Sequence, residues 1–367
     1  MRILIITGSL PPMSCGVGDY TKRLAEELAS DLNHEVIVLT SQGVFNDIFK
    51  FKVLSEILNW SILESLKYIL ILKKNKPDLI HIQFPTQGYG RGLLPFFIPF
   101  INFIFRVKTV QTWHEVYSLK FLPLVFFKSI FSGSIIITRE KYSTYLSKFF
   151  RFFLFKKKFH YIAVASNLPP VNLSKHSFSE VKSFYQKNQS RLIVFFGFIY
   201  PNKGIELIFS IADPSKDQIV IAGNFGLNVD YNNQIHKLAF SKFWKGKVLI
   251  TGSLPEIEAS KLLSVADTII LPFRNGVTGG GESNGSIHAA TTSGSFVITT
   301  SDEIEGYDKE RNIYFAKIDD VSDMRYALEK YSSFKNVLNS LEIFKNQWLL
   351  IKTKHELVYS SIQSINI

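Results

Sequence analysis

Four loops in the chain carry residues suited to holding an anionic or hydroxyl-rich ligand. In GSLPPMSCGVGDY, residues 8–20, Gly16 and Gly18 stand between an apolar run and a helical pattern. Small residues there let backbone amides approach an anion at a helix amino terminus. The spacing is not that of the dinucleotide fingerprint, and a tight connecting turn also accounts for it. In TWHE, residues 112–115, the imidazole of His114 is suited either to hydrogen-bond a sugar hydroxyl or phosphate or to a structural role. In GFIYPNKGIELIF, residues 197–209, Lys203 precedes Gly204 and a helical pattern. A fixed ammonium there can neutralise a departing diphosphate, a task that a divalent metal performs in other transferases; a solvated loop lysine is the plainer alternative. In LPFRNGVTGGGESNGSIHAATTSG, residues 271–294, Gly279, Gly280 and Gly281 precede Glu282, Asn284, Gly285 and Ser286 at a helix start. That pattern makes a phosphate cradle, with Glu282 and Arg274 set to contact a sugar or phosphate, or else a flexible linker between two buried strands.

Other chemistries lack their residues. The sequence has no Walker loop, no His-Glu-x-x-His zinc helix, no Gly-x-Ser-x-Gly elbow and no Asp-x-Asp triplet, so neither a catalytic metal nor a bound cofactor is expected. One cysteine, Cys15, precludes an internal disulfide and fits a reducing compartment.

The elements that must position these loops follow an α/β pattern. Apolar strand-like runs at 2–6, 34–40, 78–84, 107–113, 134–138 and 161–166 alternate with helical stretches, which predicts a parallel sheet. A polar connection with Pro169-Pro170 follows, and strands then recur at 191–197, 218–223, 247–252, 268–272 and 295–300. Two open α/β domains are expected, over 1–185 and 186–340, with helices over 341–367. In such sheets ligands sit beyond the carboxyl ends of the strands, where all four loops fall.

The length of 367 residues suits two domains, and 46% apolar residues supply two cores. The short apolar run before Gly8 is less than a signal-peptide core, and the thirteen residues Leu93 to Phe105 contain two prolines and Asn102, too few and too interrupted to cross a bilayer. A cytoplasmic protein is expected. The net charge of +11 points to an anionic partner. KFFRFFLFKKKFH, residues 148–160, mixes five basic residues with six phenylalanines, and Lys120 and Lys128 extend the pattern upstream. The region from Lys120 to His160 therefore suits peripheral attachment to the anionic inner face of the cytoplasmic membrane. Core helices with snorkelling lysines are the alternative, and no nucleic-acid motif accompanies the pattern.

Taken together, the loops resemble the retaining glycosyltransferases of family four, which have the GT-B architecture of two Rossmann-like doubly wound domains facing each other across a cleft. CGVGDYTKRLAEEL is similar to the family's glycine loop and first helix, KPDLIHIQF to its next recurring strand, and GFIYPNKGIELI to the segment bearing its diphosphate-binding lysine. KVLITGSLPEIEASKLLSVADTIILPF is similar to the elements leading to the donor loop, and FKNQWLLIKTKHELVYSSIQ to the carboxy-terminal helices that cross back to the first domain.

The resemblance implies a metal-independent, retaining hexosyltransferase. It would move a sugar from a nucleotide sugar to a glycan or lipid-linked acceptor in bacterial cell-surface polysaccharide synthesis. It implies that Gly16 approaches the donor phosphate, His114 contacts the donor sugar, Lys203 stabilises the leaving diphosphate and Glu282 is the first acid of the family's Glu-x7-Glu motif. The sequence departs from the family at Cys15, in place of the first glycine of the pair, and at Phe198, where many members have arginine. It departs again at Ala289 or Ala290, in place of the second acid, which leaves the ribose without that partner. An epimerase or phosphorylase on the same scaffold, or a silent sugar-nucleotide-binding protein, would show similar loops.

Overall fold

The computed structural model describes residues 1–44, 49–115, 122–139, 157–187, 190–276, 284–332, 334 and 340–363. The chain forms two compact units, Met1–Val164 with Gln347–Ile367, and Ala165–Asn346.

In the first unit β1 (Arg2–Ile6), β2 (Glu35–Ser41), β3 (Lys52–Ile57), β4 (Leu79–Phe84), β5 (Lys108–Trp113), β6 (Ser134–Ile137) and β7 (Lys158–Tyr161) build one sheet. The order is β3-β2-β1-β4-β5-β6-β7, parallel throughout. The strands are buried on both faces, so their sequences read as apolar runs rather than alternating ones. Leu4, Ile6, Ile80 and Ile82 pack with Tyr68 and Leu72 of α2 (Ser65–Asn75), Phe96 and Ile98 of α3 (Leu94–Ile104) and Val125 of α4 (Leu122–Ile130). Residues of the other parity face α1 (Gly16–Ala29) and the 24-residue carboxy-terminal helix, Ser340–Gln363. There the Tyr359 hydroxyl bonds His81 and the Tyr20 ring packs on Trp348.

The second unit repeats the scheme with β8 (Arg191–Phe196), β9 (Asp217–Ala222), β10 (Val248–Gly252), β11 (Thr268–Leu271), β12 (Phe296–Thr300), β13 (Gly306–Asp308) and β14 (Ile313–Ala316). Their order is β10-β9-β8-β11-β12-β14-β13, with β13 alone antiparallel to its neighbour. The helices are α5 (Lys175–Tyr185), α6 (Ile205–Ile211), α7 (Val229–Ala239), α8 (Glu256–Val265), α9 (Gly285–Thr292) and α10 (Val321–Tyr331). Each sheet reverses its winding once, between β1 and β4 and between β8 and β11, the places where a doubly wound fold opens a crevice for ligand.

Several expectations need correction. The boundary between units falls at Val164 and Ala165 rather than at 185 and 186. The polar stretch goes with the second unit because Lys182 on α5 bonds Asp267 at 2.6 Å, and the same carboxylate accepts from the Leu192 amide at 2.8 Å. The run 161–166 is not a strand: pairing with β6 occupies Lys158 to Tyr161, and the chain then leaves the sheet. β3, β13 and β14 were not expected, their apolar residues being too few to stand out.

The expected membrane-facing region, Lys120 to His160, is only partly described. Residues 116–121 and 140–156 lie outside the described residues. Of the rest, Lys128 is fully buried, its ammonium 3.5 Å from the centroid of the Phe84 ring, and burial holds its pKa well below the usual lysine value. Lys157 donates to the carbonyls of Ile130 and Ser132, both at 2.7 Å, and so caps the end of α4. Neither lysine is available to a lipid surface. Among the described residues no helix is long and apolar enough to cross a membrane.

Candidate active site

At the reversal point of the first sheet two loops interlock. The Gly8 amide donates to Thr86 Oγ1 at 2.9 Å, the Gly88 amide to Ser9 Oγ at 2.8 Å, and Ser41 Oγ to the Gly8 carbonyl at 2.6 Å. A Cβ at Gly88 would lie 1.6 Å from the Gly8 oxygen, so only glycine permits the contact. α1 starts beside this joint. Gly16 is its first residue and an added Cβ there meets nothing within 4 Å, which leaves room for a ligand's approach. Gly18 is different: it is buried, and its missing Cβ admits the Ser9 carbonyl, which would otherwise be 2.8 Å away. The glycine is required for this packing.

His114 follows β5 directly, its amide bonded to the Phe84 carbonyl at 2.9 Å. The half-buried ring packs edge-on against Tyr20, with centroids 5.1 Å apart, and Nε2 lies 2.7 Å from Gln83 Oε1. An amide oxygen only accepts, so Nε2 carries a proton. Burial, and then the nearby His355, push the pKa of His114 down to about 3, so the imidazole is neutral at ordinary pH. Beneath it His81 is bonded at both ring nitrogens, to Tyr359 and Thr112, each at 2.7 Å. Burial, then His355 and His114, hold its pKa well below the usual value.

The second unit builds its corner at the ends of β8 and β11. Gly197 has φ 136°, and a Cβ there would stand 3.1 Å from Ser286 Oγ at the start of α9. The chain then turns through Pro201–Lys203 into Gly204, which has φ 63° and whose added Cβ would lie 2.2 Å from the Pro272 carbonyl. This left-handed, crowded position favours glycine on both counts. The Arg274 amide donates to the Asn202 carbonyl at 2.9 Å, tying the two loops together. Lys203 lies with its ammonium 4.4 Å from the centroid of Phe273, a cation–π contact that holds a half-buried lysine at the strand ends.

Lys203, Gly285 and Ser286 lie in one unit, and Gly16 and His114 in the other. Gly279, Gly280, Gly281 and Glu282 lie outside the described residues. Asn284 is engaged by its own helix. Its Oδ1 accepts from the amides of Ser286 at 3.0 Å and Ile287 at 3.4 Å, so it caps α9. Arg274 is likewise committed. Its Nε donates to Glu206 at 2.9 Å, Nη2 bonds the same carboxylate and Nη1 bonds Asp319, so the guanidinium joins the loop to α6 rather than reaching for a phosphate. Ala289 and Ala290 lie on the buried side of α9, in the core, and offer no acid to a ribose. Phe198, in place of the family's arginine, stacks on Tyr200 with centroids 5.7 Å apart.

Gln83, His81 and Phe273 were missed. The signal for the first two was LIHIQF, in which polar residues alternate along a strand otherwise fit for burial on both faces.

A model of the family described as Glycosyltransferase Family 4 matches residues 15–167. No curated protein matches the chain significantly. Among solved structures it is similar to HepE of Anabaena in complex with UDP and glucose, with a TM-score of 0.73 and 15% identity over 98% of this chain and 100% of that one. It is similar also to a glycosyltransferase from Rickettsia africae, at 0.71 and 15% over 100% and 99%. The catalytic domain of starch synthase IV from Arabidopsis thaliana, bound to ADP and acarbose, matches at 0.70 and 13% over 100% of both. The family match covers most of the amino-terminal unit, and over its full length the chain has the GT-B fold.

Proposed function

We propose that the chain is a family 4 glycosyltransferase that moves a hexose from a nucleotide sugar to a glycan or lipid-linked acceptor, with retention of configuration and without a metal. Lys203 is the observation that carries the reading. Its ammonium is held over Phe273 where the loops after β8 and β11 meet, and Gly197 at the end of β8 faces the start of α9. A diphosphate there gains a fixed positive charge and backbone amides as its bond to the sugar breaks, with no reorganisation needed at that moment. The similarity to structures holding UDP with glucose, or ADP, supports a nucleotide-sugar donor. In this reading Gly16 approaches the donor phosphate, His114 contacts the donor sugar and Glu282 its hydroxyls.

The test is Lys203→Ala with a panel of nucleotide sugars. Turnover should fall on the order of 100-fold, wild-type activity should survive EDTA, and NMR of the product should show the donor's anomeric configuration. Activity within about twofold of wild type, or its loss with EDTA, would refute the mechanism. Inversion of configuration would refute retention alone.

Peripheral attachment to an anionic cytoplasmic membrane belongs to the same reading, and a second surface besides the region from Lys120 to His160 suits it. α2 and α3 contain no acidic residue. Beside them Leu63 is 90%, Leu66 75% and Leu70 67% exposed, and Phe103 and Ile104 are exposed too. Lys73, Lys74, Lys76 and Arg106 are exposed alongside, with Lys73 5.6 Å from the Phe105 ring. Leucines and phenylalanines rimmed by cations suit an interface of anionic headgroups. The variant Leu66→Ser with Lys73→Glu and Lys74→Glu should no longer sediment with anionic liposomes, and unchanged sedimentation would discard this surface.

A further inference from the structure

The environment of Gln83 extends the reading of His114 as a sugar-binding residue, on which this inference rests. The side chain of Gln83 is fully buried on β4. Its Oε1 is 2.7 Å from His114 Nε2, and its Nε2 is 3.1 Å from one ring nitrogen of His81 and 3.4 Å from the other. Two such similar distances fix where the amide nitrogen sits. A point in the ring plane that near to both nitrogens, on their open side, would collide with the carbon between them, so the amide nitrogen lies over the face of the ring. The ring edges are already taken, since Tyr359 and Thr112 hold the two nitrogens at 2.7 Å each.

An aromatic face carries negative charge, which attracts an amide N–H and repels a carbonyl oxygen. The face of His81 therefore decides the orientation of the Gln83 amide. Turned the other way, the oxygen would lie on the π face and two N–H donors would point at His114. Held as it is, the amide offers only an acceptor, and His114 must place its proton on Nε2. Its Nδ1 is then a bare lone pair, to which no described residue is bonded.

We infer that His81 and Gln83 are positioning residues that lock His114 as its Nε2–H tautomer, so that Nδ1 accepts a hydrogen bond from a donor-sugar hydroxyl. Tyr359 of the carboxy-terminal helix and Thr112 of β5 clamp His81 edgewise, which keeps its face toward Gln83. The acceptor character of His114 thus depends on three elements that do not include its own loop.

The experiment is nitrogen-15 NMR of histidine-labelled full-length protein at neutral pH, with His114 assigned by loss of its signals in His114→Ala. The wild type should show a protonated Nε2 and a bare Nδ1. In Gln83→Met the buried Nε2–H would lose its acceptor, so the proton should move to Nδ1. His81→Phe keeps an aromatic face and should keep the wild-type tautomer, whereas His81→Leu should not. In the transfer assay Gln83→Met should raise the donor KM about tenfold or more, the loss expected when one hydrogen bond to a bound sugar is removed and the N–H is misdirected. A wild-type His114 protonated on Nδ1, or an unchanged tautomer in Gln83→Met, overturns the inference whatever the activity. If the tautomer moves as expected while His114→Ala leaves donor KM unchanged, the lock stands and the sugar contact of His114 is refuted. Should Gln83→Met not fold, Gln83→Glu keeps an acceptor for Nε2–H, and loss of the Nε2–H tautomer there would overturn the lock.

Discussion

The buried histidines give the first unit a predicted sensitivity to mild acid. His81 and His355 are fully buried and His114 is half-buried, and burial is the leading cause that lowers the pKa of each. His114 is pushed down to about 3 and His355 to about 4, and His81 lies well below its ordinary value. In the unfolded chain each returns to about 6.5. Because the folded pKa values are depressed, their contribution is present above pH ~6.5 and is lost as pH falls toward the folded values. Between pH 7 and pH 5.5 each neutral histidine should cost about 1.3 kcal/mol of stability, roughly 4 kcal/mol for three acting independently. That is a large share of the ~5–15 kcal/mol typical of a domain. Urea unfolding followed by tryptophan fluorescence reports mainly this unit, since Trp60, Trp113 and Trp348 lie in it and Trp244 alone in the other. In His355→Asn, which removes one titrating group, the loss between pH 7 and 5.5 should shrink by about a third. A midpoint that does not move over this range, or an unchanged slope in His355→Asn, would refute the assignment of three neutral buried histidines.

Other substitutions follow from contacts already described. Gly88→Ala forces a Cβ onto the Gly8 carbonyl and should destabilise the first unit by about 1–3 kcal/mol or more, read as a lower urea midpoint, whereas Gly16→Ala should leave stability nearly unchanged. Gly204→Ala, in a left-handed and crowded position, should lower both the stability of the second unit and transfer activity. Arg274→Ala should loosen the second unit in thermal melts because it leaves Glu206 with Tyr231 alone and breaks the pair with Asp319, while affecting donor KM less than Lys203→Ala does. Lys157→Glu should lower the melting temperature of the first unit through loss of the α4 cap and leave liposome binding intact.

Much of this fold was legible because parallel strands buried on both sides announce themselves as apolar runs such as RILII, EVIVLTS and RLIVFF. β3, with KVLSEI at the sheet's edge, has a half-exposed face and no such run. The hairpin of β13 and β14 is too short to produce a period. At the site, loop position was readable and side-chain direction was not. Arg274 and Asn284 stand in the right loop, yet one pairs with Glu206 and Asp319 and the other caps its own helix, choices made by neighbours far away in sequence or by local geometry. Lys128 misled for a similar reason: a lysine between phenylalanines reads as surface, but the rings of Phe84, Phe96 and Trp113 enclose its ammonium.

The two units use one device at their reversal points, and it bears on how the chemistry is held. Gly8 against Gly88 in the first, and Gly204 against Pro272 in the second, bring backbone to within distances that no side chain tolerates. Such joints join loops from different strands and limit how far either can move without breaking the contact. His114 bonds Phe84, two residues before Thr86 of the first joint, and Lys203 directly precedes Gly204 of the second, one fixed by Gln83 and the other by Phe273. A neutral imidazole of set tautomer and a charge of set position are what a transfer stabilised by preorganised groups requires, since neither has to reorient as the diphosphate leaves. On the proposed mechanism the glycines would contribute to rate through rigidity. Enlarging Gly88 should impair turnover even at temperatures where the protein remains folded, in proportion to the disorder it causes in His114, and full turnover in a folded Gly88→Ala protein would disprove that link.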